Sequence, residues 1–313
     1  MLGPILFVWL MFRVYKQVVE QKDINIHFSG LMSSLEGSGK WILLLVVFIM
    51  LIQWMLEARK WQIMLKEIHA VSFFDAFKMI FSGIAISIAT PNRMGEFAGR
   101  VLHLPSGTRL QGTAFTVIGN FAQLIVTCIA GSVALVMEQQ HRHIYLAPKG
   151  MDEVQSALRW LTPLAIFFFF LVYFRTGTIF RWIMTFRIMR RFRNGLGPIE
   201  SISNPVLIRV LLLSCVRFLF FILQYWLLFK MTGAGIDLRD SFAAVSIMLL
   251  WLAIVPTFSL MELGLRWEFA LLLLTPLTNN ALGIAVAVTA VWFINLILPA
   301  AIGAFGLLLY RRK

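Results

Sequence analysis

Charge is scarce in this chain, and acidic charge is the scarcest. Charged residues make up 14% of its 313 residues, with 15 acidic against 28 basic side chains, while hydrophobic residues make up 59%. These values, with a mean hydropathy of +0.82, exclude an ordinary soluble domain. The net charge of +13 does not indicate nucleic acid as a partner. Membrane proteins carry Lys and Arg in short loops that meet anionic lipid, which explains the excess.

Cysteine and the common catalytic motifs are also missing. Cys128 and Cys215 are the only cysteines, and both lie in apolar runs, which favours small core residues over a disulfide or a metal pair. The chain has no Asp-x-Asp pair, no Ser/His or Cys/His constellation and no glycine loop for phosphate. His141 and His143 form a His-x-His pattern without a nearby carboxylate or cysteine cluster, which favours a solvated loop. We therefore expect neither a metal nor a cofactor.

Long apolar runs recur along the whole chain. A helix needs about 20 residues to cross roughly 30 Å of hydrocarbon. We predict an all-α polytopic membrane protein, a single integral membrane domain over 1–313 with an internal repeat of halves 1–156 and 157–313. The eight predicted spans are 1–19, 40–56, 73–90, 112–137, 157–174, 206–230, 241–257 and 281–310. The predicted location is the cell membrane, specifically the bacterial cytoplasmic membrane.

The same polar motif interrupts this apolar sequence twice, at 90–100 and 255–266. Each copy has a proline, then a glutamate five or six residues later, then an arginine four residues after the glutamate. Glu and Arg at i, i+4 share a helical face and can pair. Ionisable residues at membrane depth are costly and usually face a cavity or one another. The proline, glutamate and arginine of the copies are Pro91, Glu96 and Arg100, and Pro256, Glu262 and Arg266.

Short, broken apolar elements accompany both motifs, at 91–111 and 267–276. Such elements in matching places of two halves point to a transporter binding site, and we predict both to be re-entrant. The helix breakers would be Pro91 and Pro256. We expect the two motifs to approach each other near mid-membrane, with parallel or inverted symmetry left open. A purely structural alternative is that each Glu–Arg pair neutralises itself and stitches helices together.

The sequence leaves open which side of the membrane the loops face. The basic cluster between 181 and 193 predicts a cytoplasmic loop after the fifth span. With three further crossings, the basic tail 311–313 would face the opposite side. One span is therefore miscounted, or the tail breaks the rule.

The motifs, together with Ala58-Arg59-Lys60-Trp61, resemble the lysylphosphatidylglycerol synthase transmembrane-region family. That family includes the flippase half of the multiple peptide resistance factor. The resemblance implies a membrane region that moves aminoacylated phosphatidylglycerol between leaflets, while a separate synthase domain makes that lipid. The chain ends three residues after its last predicted span, so we expect a stand-alone form and do not carry over the charging reaction. Residues 258–260 depart from the glycines of many relatives, which leaves the second re-entrant turn open.

Arginine suits lipid phosphate because its planar fork binds two oxygens and keeps its charge. Two classes of function remain: a flippase-like translocase for an anionic, aminoacylated or polyprenyl-phosphate-linked lipid, or an intramembrane transferase acting on such a lipid. The expected partner is a membrane phospholipid or lipid-linked substrate, not nucleic acid, and a homo-oligomer is left open. Asn120 would line the cavity or hydrogen-bond between helices. The candidate substrate-binding residues are Arg93, Glu96, Arg100, Glu262, Arg266, Arg217 and Asn120.

Overall fold

The structure is a computed structural model that describes residues 12–13, 15–16, 18–19, 24–66, 68–88, 90, 93–141, 152–187, 193–200, 202–255 and 259–310. Over these ranges the chain is helical and contains no strand, which confirms the predicted all-α class. The helices are α1 Ile24–Glu36, α2 Gly39–Leu65, α3 Phe73–Ser87, α4 Gly95–Val101, α5 Arg109–His141, α6 Asp152–Phe174, α7 Thr176–Ile183, α8 Arg193–Glu200, α9 Asn204–Met231, α10 Leu238–Ile254, α11 Ser259–Leu274, α12 Ala281–Trp292 and α13 Leu298–Tyr310.

Four helical stretches are long and apolar enough to cross a membrane, within the part of the chain that is described. They are Gly39–Leu65, Ser106–Met137, Asn204–Met231 and Ala281–Leu309. A fifth is added if Pro163–Phe174 and Thr176–Ile183, which meet at 73°, count as one bent span. Most of the predicted first span, 1–19, lies outside the described residues.

Large apolar side chains lie exposed along these long helices. On α2, Trp41 and Phe48 are exposed, and on α13, Phe305 and Leu308 are exposed. A soluble protein rarely leaves so much apolar surface in contact with water. The exposed rows are the surface expected to face lipid.

Two compact units make up the chain. Unit 1 comprises 1–51, 127–162 and 219–298, and unit 2 comprises 52–126, 163–218 and 299–313. Each unit therefore takes segments from both predicted halves of the sequence. The first motif lies in unit 2 and the second in unit 1.

In unit 2, α3 and α4 form a tight helical hairpin. Ser72 caps α3, because its Oγ accepts a hydrogen bond from the Asp75 backbone N–H at 3.1 Å. The helices pack through glycine: a Cβ at Gly99 would lie 2.6 Å from the Gly83 Cα, and one at Gly95 would lie 2.5 Å from the Ile86 carbonyl oxygen. No other residue permits so close an approach without separating the two helices.

The α3–α4 hairpin begins and ends beside the last turns of α2. Before it, the Val71 carbonyl accepts a hydrogen bond from Gln62 Nε2 at 3.0 Å. After it, a Cβ added at Gly112 in α5 would lie 3.6 Å from the Trp61 ring. The chain thus enters and leaves the hairpin at the same end of α2.

In unit 1, α10 and α11 pack against each other as a second hairpin, with Trp251 and Phe269 in ring contact at 5.2 Å. Asp237 caps α10 by accepting from the Asp240 N–H. Beyond α11, the Asn280 side chain donates to the Thr232 carbonyl at 3.0 Å, just after the end of α9. This hairpin too starts and finishes at one end of the preceding long helix.

The structure does not confirm full crossings at 73–90 and 241–257, which are not among its long apolar stretches. Helices α3 and α10 have 15 and 17 residues, and at about 1.5 Å per residue both fall short of roughly 30 Å of hydrocarbon. The segments 91–111 and 267–276, predicted as separate re-entrant elements, instead contain the return arms α4 and the end of α11. Pro91 and Pro256, the predicted helix breakers, lie between the arms but outside the described residues.

Candidate functional site

A buried group of five charged side chains gathers in unit 2, and we call it the Glu57 cluster. Its members come from three long or returning helices of that unit. Glu57 and Lys60 lie on α2, Glu96 and Arg100 on α4, and Arg217 on α9. The side chains of Glu57, Lys60 and Arg100 are at most 2% exposed, whereas those of Glu96 and Arg217 are 18% and 23% exposed. The cluster is therefore buried at Glu57, Lys60 and Arg100 and partly exposed at Glu96 and at Arg217.

Glu57 is the centre of this cluster because both of its oxygens accept from cations. Its Oε1 lies 2.9 Å from Arg100 Nη2. Its Oε2 lies 2.8 Å from Lys60 Nζ and 3.0 Å from Arg217 Nη1. Arg100 Nη2 also pairs with Glu96, as the i, i+4 spacing predicts.

Lys60 uses all three of its ammonium hydrogens. Besides Glu57, its Nζ lies 3.3 Å from the Gly119 carbonyl oxygen and 3.4 Å from Ser214 Oγ. The Ser214 hydroxyl donates to the Val210 carbonyl, so its oxygen is free to accept from Lys60. Three acceptors around one nitrogen favour the charged ammonium, which has three donors and no acceptor.

Arg100 has donors to spare. Its Nε and Nη1 are buried and make no hydrogen bond to any residue that the structure describes. Its guanidinium lies over the Trp61 ring at 5.8 Å, and that of Arg217 lies over Trp54 at 4.9 Å. The indole N–H groups of both tryptophans are likewise buried without a partner in the described chain. The cluster is thus rich in donors and poor in acceptors.

The turn between α3 and α4 positions this arginine. The Thr90 hydroxyl accepts from the Gly95 N–H at 2.7 Å, which satisfies one of the free donors at the start of α4. Arg93 lies in the same turn with φ of 55°, a left-handed conformation that is uncommon outside glycine. Gly83 leaves room for the Arg100 stem, since a Cβ there would lie 2.8 Å from Arg100 Cγ.

The second motif forms a smaller group in unit 1, which we call the Arg266 cluster. Arg266 donates from Nε and Nη2 to Glu262 Oε1, at 3.0 and 2.6 Å. Its Nη1 donates to the buried Tyr225 hydroxyl on α9 at 3.0 Å, and its guanidinium lies 5.9 Å from the Phe221 ring centroid. Every nitrogen of this guanidinium therefore has a partner, and the predicted i, i+4 pair is present.

The two clusters differ in charge. The Glu57 cluster holds three cations against two carboxylates, while the Arg266 cluster holds one of each. An excess of positive charge in a buried site attracts an anion. The unit 2 cluster is therefore the better candidate for binding a phosphate.

The predicted residues divide between these clusters. Arg217 joins Glu96 and Arg100 in unit 2. Asn120, half-buried one residue after Gly119, makes no hydrogen bond to the cluster in the described chain. Arg93 lies in the turn before α4, and its role in binding stays a prediction. The expected approach of the two motifs to each other stays a prediction.

Glu57, Lys60 and Tyr225 were not among the predicted site residues, although Lys60 lies in the 58–61 segment of the family resemblance. The second predicted span ended at 56, so Glu57 fell in a connector, whereas α2 continues to Leu65. A signal was present, because Glu57 and Lys60 are spaced i, i+3 and directly extend an apolar run. Tyr225 carried no signal, since aromatic residues are common throughout these spans.

The comparisons with known proteins identify the family. No match was found among curated proteins. The family model described as "Lysylphosphatidylglycerol synthase TM region" matches residues 2–303, nearly the whole chain. With its apolar helices and buried ionic motifs, the chain is a multi-pass integral membrane protein that belongs to the lysylphosphatidylglycerol synthase transmembrane-region family.

Proposed function

We propose that this protein is a lipid translocase that moves a phosphate-bearing lipid between the leaflets of its membrane. The observation that carries the proposal is the Glu57 cluster, in which Arg100 and Arg217 converge on one carboxylate inside a membrane protein. The family's name refers to the synthase of lysylphosphatidylglycerol, a lipid, which agrees with a role in lipid handling.

The physical reason lies in the cost of moving a headgroup. A charged headgroup in hydrocarbon costs several kcal/mol or more unless other charges compensate it. Arginine lowers this cost because its planar fork meets phosphate oxygens and never loses its proton in the membrane. The spare donors of Arg100 are of the kind that a phosphate would satisfy.

The substrate class follows from the charge of the cluster. With one cation in excess, it favours a lipid whose phosphate is anionic, such as phosphatidylglycerol, its aminoacylated form or a polyprenyl phosphate. In an aminoacylated lipid the added amine would be positive, and the exposed edge of Glu96 offers it a carboxylate. The protein would act in the bacterial cytoplasmic membrane.

The proposal includes an internal repeat. In both halves a long helix precedes a helical hairpin, and a second long helical stretch follows it. Gly39 and Asn204, which begin α2 and α9, are 165 positions apart, as are Phe73 and Leu238, which begin the hairpins. Glu96 and Glu262 both lie in the first turn of their return arms. We retain eight membrane elements, two of which are hairpins.

Reconstitution into liposomes tests the function. Fluorescent phosphatidylglycerol placed in both leaflets is bleached by a membrane-impermeant reductant, which reaches the inner-leaflet lipid only if the protein exchanges it. With wild-type protein, we expect the bleached fraction of the fluorescent lipid to exceed the outer-leaflet fraction. Arg100→Ala should strongly reduce this excess. Lys78→Gln serves as the control, because Lys78 pairs with Asp75 at an exposed position and belongs to neither cluster. No exchange by folded wild-type protein with any phosphate-bearing lipid would reject the proposal.

The same vesicles separate a translocase from an intramembrane transferase. Soluble donor molecules such as aminoacyl-tRNA or a nucleotide sugar are added, and the lipids are analysed by mass. We expect leaflet exchange without donor and no change in lipid mass. A new lipid product that requires the donor would favour the transferase.

A further inference from the structure

The Glu57 carboxylate occupies a site that has the recognition groups for a phosphate. Two guanidinium groups and one ammonium group reach its two oxygens at 2.8 to 3.0 Å. Carboxylate and phosphate bind arginine in the same way, through oxygens that accept parallel N–H bonds. In this structure, the Glu57 carboxylate therefore takes the place that a phosphate would occupy.

The carboxylate leaves part of this site unused. It has only two oxygens, and both are engaged, while Arg100 Nε and Nη1 stay without partners in the described chain. A phosphate has more oxygens and greater charge, so it can accept from donors that Glu57 does not reach. The residual positive charge of the cluster acts in the same direction.

Lys60 allows Glu57 to leave the arginines without becoming an uncompensated charge. It lies 2.8 Å from Oε2, comes from the same helix, and is anchored by Gly119 and Ser214. If Arg100 and Arg217 turned to another anion, the Glu57–Lys60 pair would remain neutral as a unit. A buried carboxylate without any partner would cost several kcal/mol.

Access is on the side where the cluster is partly exposed. Arg217 is 23% exposed and Glu96 is 18% exposed, whereas Glu57 itself is fully buried. Of the two arginines, the partly exposed Arg217 would meet an entering headgroup before the buried Arg100.

We propose that Glu57 is an internal counter-anion that a phosphate group displaces from Arg100 and Arg217, so that substrate binding is an exchange of one anion for another. The proposal deepens the function proposed above and rests on it for the identity of the substrate. Exchange keeps the arginines neutralised both with and without lipid. Release follows when Glu57 returns and displaces the phosphate.

Removing the competitor should tighten binding. In Glu57→Gln no carboxylate at this position occupies the arginines, so a larger fraction of the protein is free to bind phosphate. The apparent affinity for the phosphate ligand should therefore rise, by about tenfold if Glu57 occupies the arginines in most wild-type molecules. The variant should also start from a lower unfolding midpoint, because three cations lose their shared carboxylate. A phosphate ligand should then restore stability by binding the folded state.

The experiment measures thermal unfolding in detergent while short-chain phosphatidylglycerol, inorganic phosphate or short-chain diacylglycerol is titrated. We expect phosphatidylglycerol to stabilise Glu57→Gln at about tenfold lower concentration than the wild type, and diacylglycerol to act equally on both. If inorganic phosphate also acts more tightly on the variant, the phosphate group alone suffices; if it does not, the lipid is needed. Glu268→Gln is the matched control, since it removes a partly buried carboxylate that pairs with Arg13 at 2.7 Å and belongs to neither cluster, so it should leave the affinity unchanged.

Equal phosphatidylglycerol affinity in Glu57→Gln and the wild type would overturn the exchange. If Glu57→Gln does not fold, Glu57→Asp replaces it, because a carboxylate shorter by one methylene reaches the arginines less well and should shift affinity in the same direction. Unchanged or weaker affinity in that variant would overturn the proposal equally. Transport is measured separately in liposomes. Tighter binding with no wild-type transport would reject the translocase alone, whereas transport with unchanged affinity would reject the exchange alone.

Discussion

All three guanidinium nitrogens of Arg266 have hydrogen-bond partners, and substitutions can show whether this arginine binds phosphate or only stabilises the fold. Arg266→Ala would leave Glu262 buried without its cation and should lower the free energy of unfolding by about 3–5 kcal/mol. The double variant Glu262→Gln/Arg266→Gln removes both charges and should recover most of that stability. Thermal unfolding and liposome transport are measured on the same proteins, with Arg266→Lys as a fourth.

These variants distinguish a phosphate-binding arginine from one that only joins helices. If Arg266 binds phosphate, transport stays low in the double variant, and Arg266→Lys lies between wild type and Arg266→Ala because lysine keeps the charge but loses the fork. Full transport in the double variant would show that the pair is structural.

Tyr225 provides a finer test of the same cluster. Tyr225→Phe removes the hydroxyl that accepts from Arg266 Nη1, and a buried N–H left unpaired should cost about 1–3 kcal/mol. Tyr173→Phe is the matched control, because it also loses one buried hydroxyl bond, to the Leu207 carbonyl, away from any charged cluster. We expect a similar loss of stability in both and a loss of transport in Tyr225→Phe only. Equal transport in the two variants would assign Tyr225 to packing.

At this scale, side chains that pair within one helical turn could be predicted from spacing, and partners from other helices could not. The Glu96–Arg100 and Glu262–Arg266 pairs follow from i, i+4 geometry. The partnership of Glu57 with Arg217 spans 160 positions, and no local pattern encodes it. Its existence could be inferred only from the cost of leaving Arg217 alone in an apolar helix.

Among the elements, the α3–α4 hairpin depends most on single residues. Gly99→Ala would place a Cβ 2.5 Å from the Ser82 carbonyl oxygen and 2.6 Å from Gly83 Cα, so the helices must separate. Because Arg100 follows directly, we expect lower stability, by about 1–3 kcal/mol for such overpacking, together with impaired transport. Unfolding midpoint and lipid exchange are measured together.

Gly306→Ala is the control for this substitution. Gly306 lies inside α13, and a Cβ there meets nothing within 4 Å. Alanine at an open helical position should be neutral or stabilise by roughly 0.5–1 kcal/mol. Equal effects of the two substitutions would contradict the close approach of α3 and α4.

The positions of the helices could be predicted from apolar runs, but the hairpins could not. Every predicted span from 40–56 onward coincides with a helix, because helices are the way that a chain satisfies its backbone in lipid. Whether 73–90 crosses the membrane or turns back depends on glycine contacts between α3 and α4, which hydropathy does not detect. Residues 258–260 lack the glycines of many relatives, yet the second hairpin still forms, since α11 packs on α10.

For the whole molecule, hairpins that do not cross the membrane would remove the conflict over orientation. If each hairpin returns to the side from which it starts, α9 and the α12–α13 stretch are the two crossings between the basic segment 181–193 and the tail 311–313. Both basic segments then lie on one side, which the positive-inside rule requires. Eight full crossings would have placed them on opposite sides.

Cysteine labelling tests this topology. Cys128 and Cys215 are replaced by Ala, and single cysteines are placed at exposed positions before and after each hairpin, as Ala70→Cys, Ser106→Cys, Arg239→Cys and Asn279→Cys. A membrane-impermeant maleimide is applied to intact cells and again after permeabilisation. Because the chain enters and leaves each hairpin at one end of a long helix, we expect Ala70→Cys and Ser106→Cys to react under the same condition, and Arg239→Cys to match Asn279→Cys. Labelling of Ala70→Cys and Ser106→Cys from opposite sides would instead make α3 a full crossing and restore the conflict between the two basic segments.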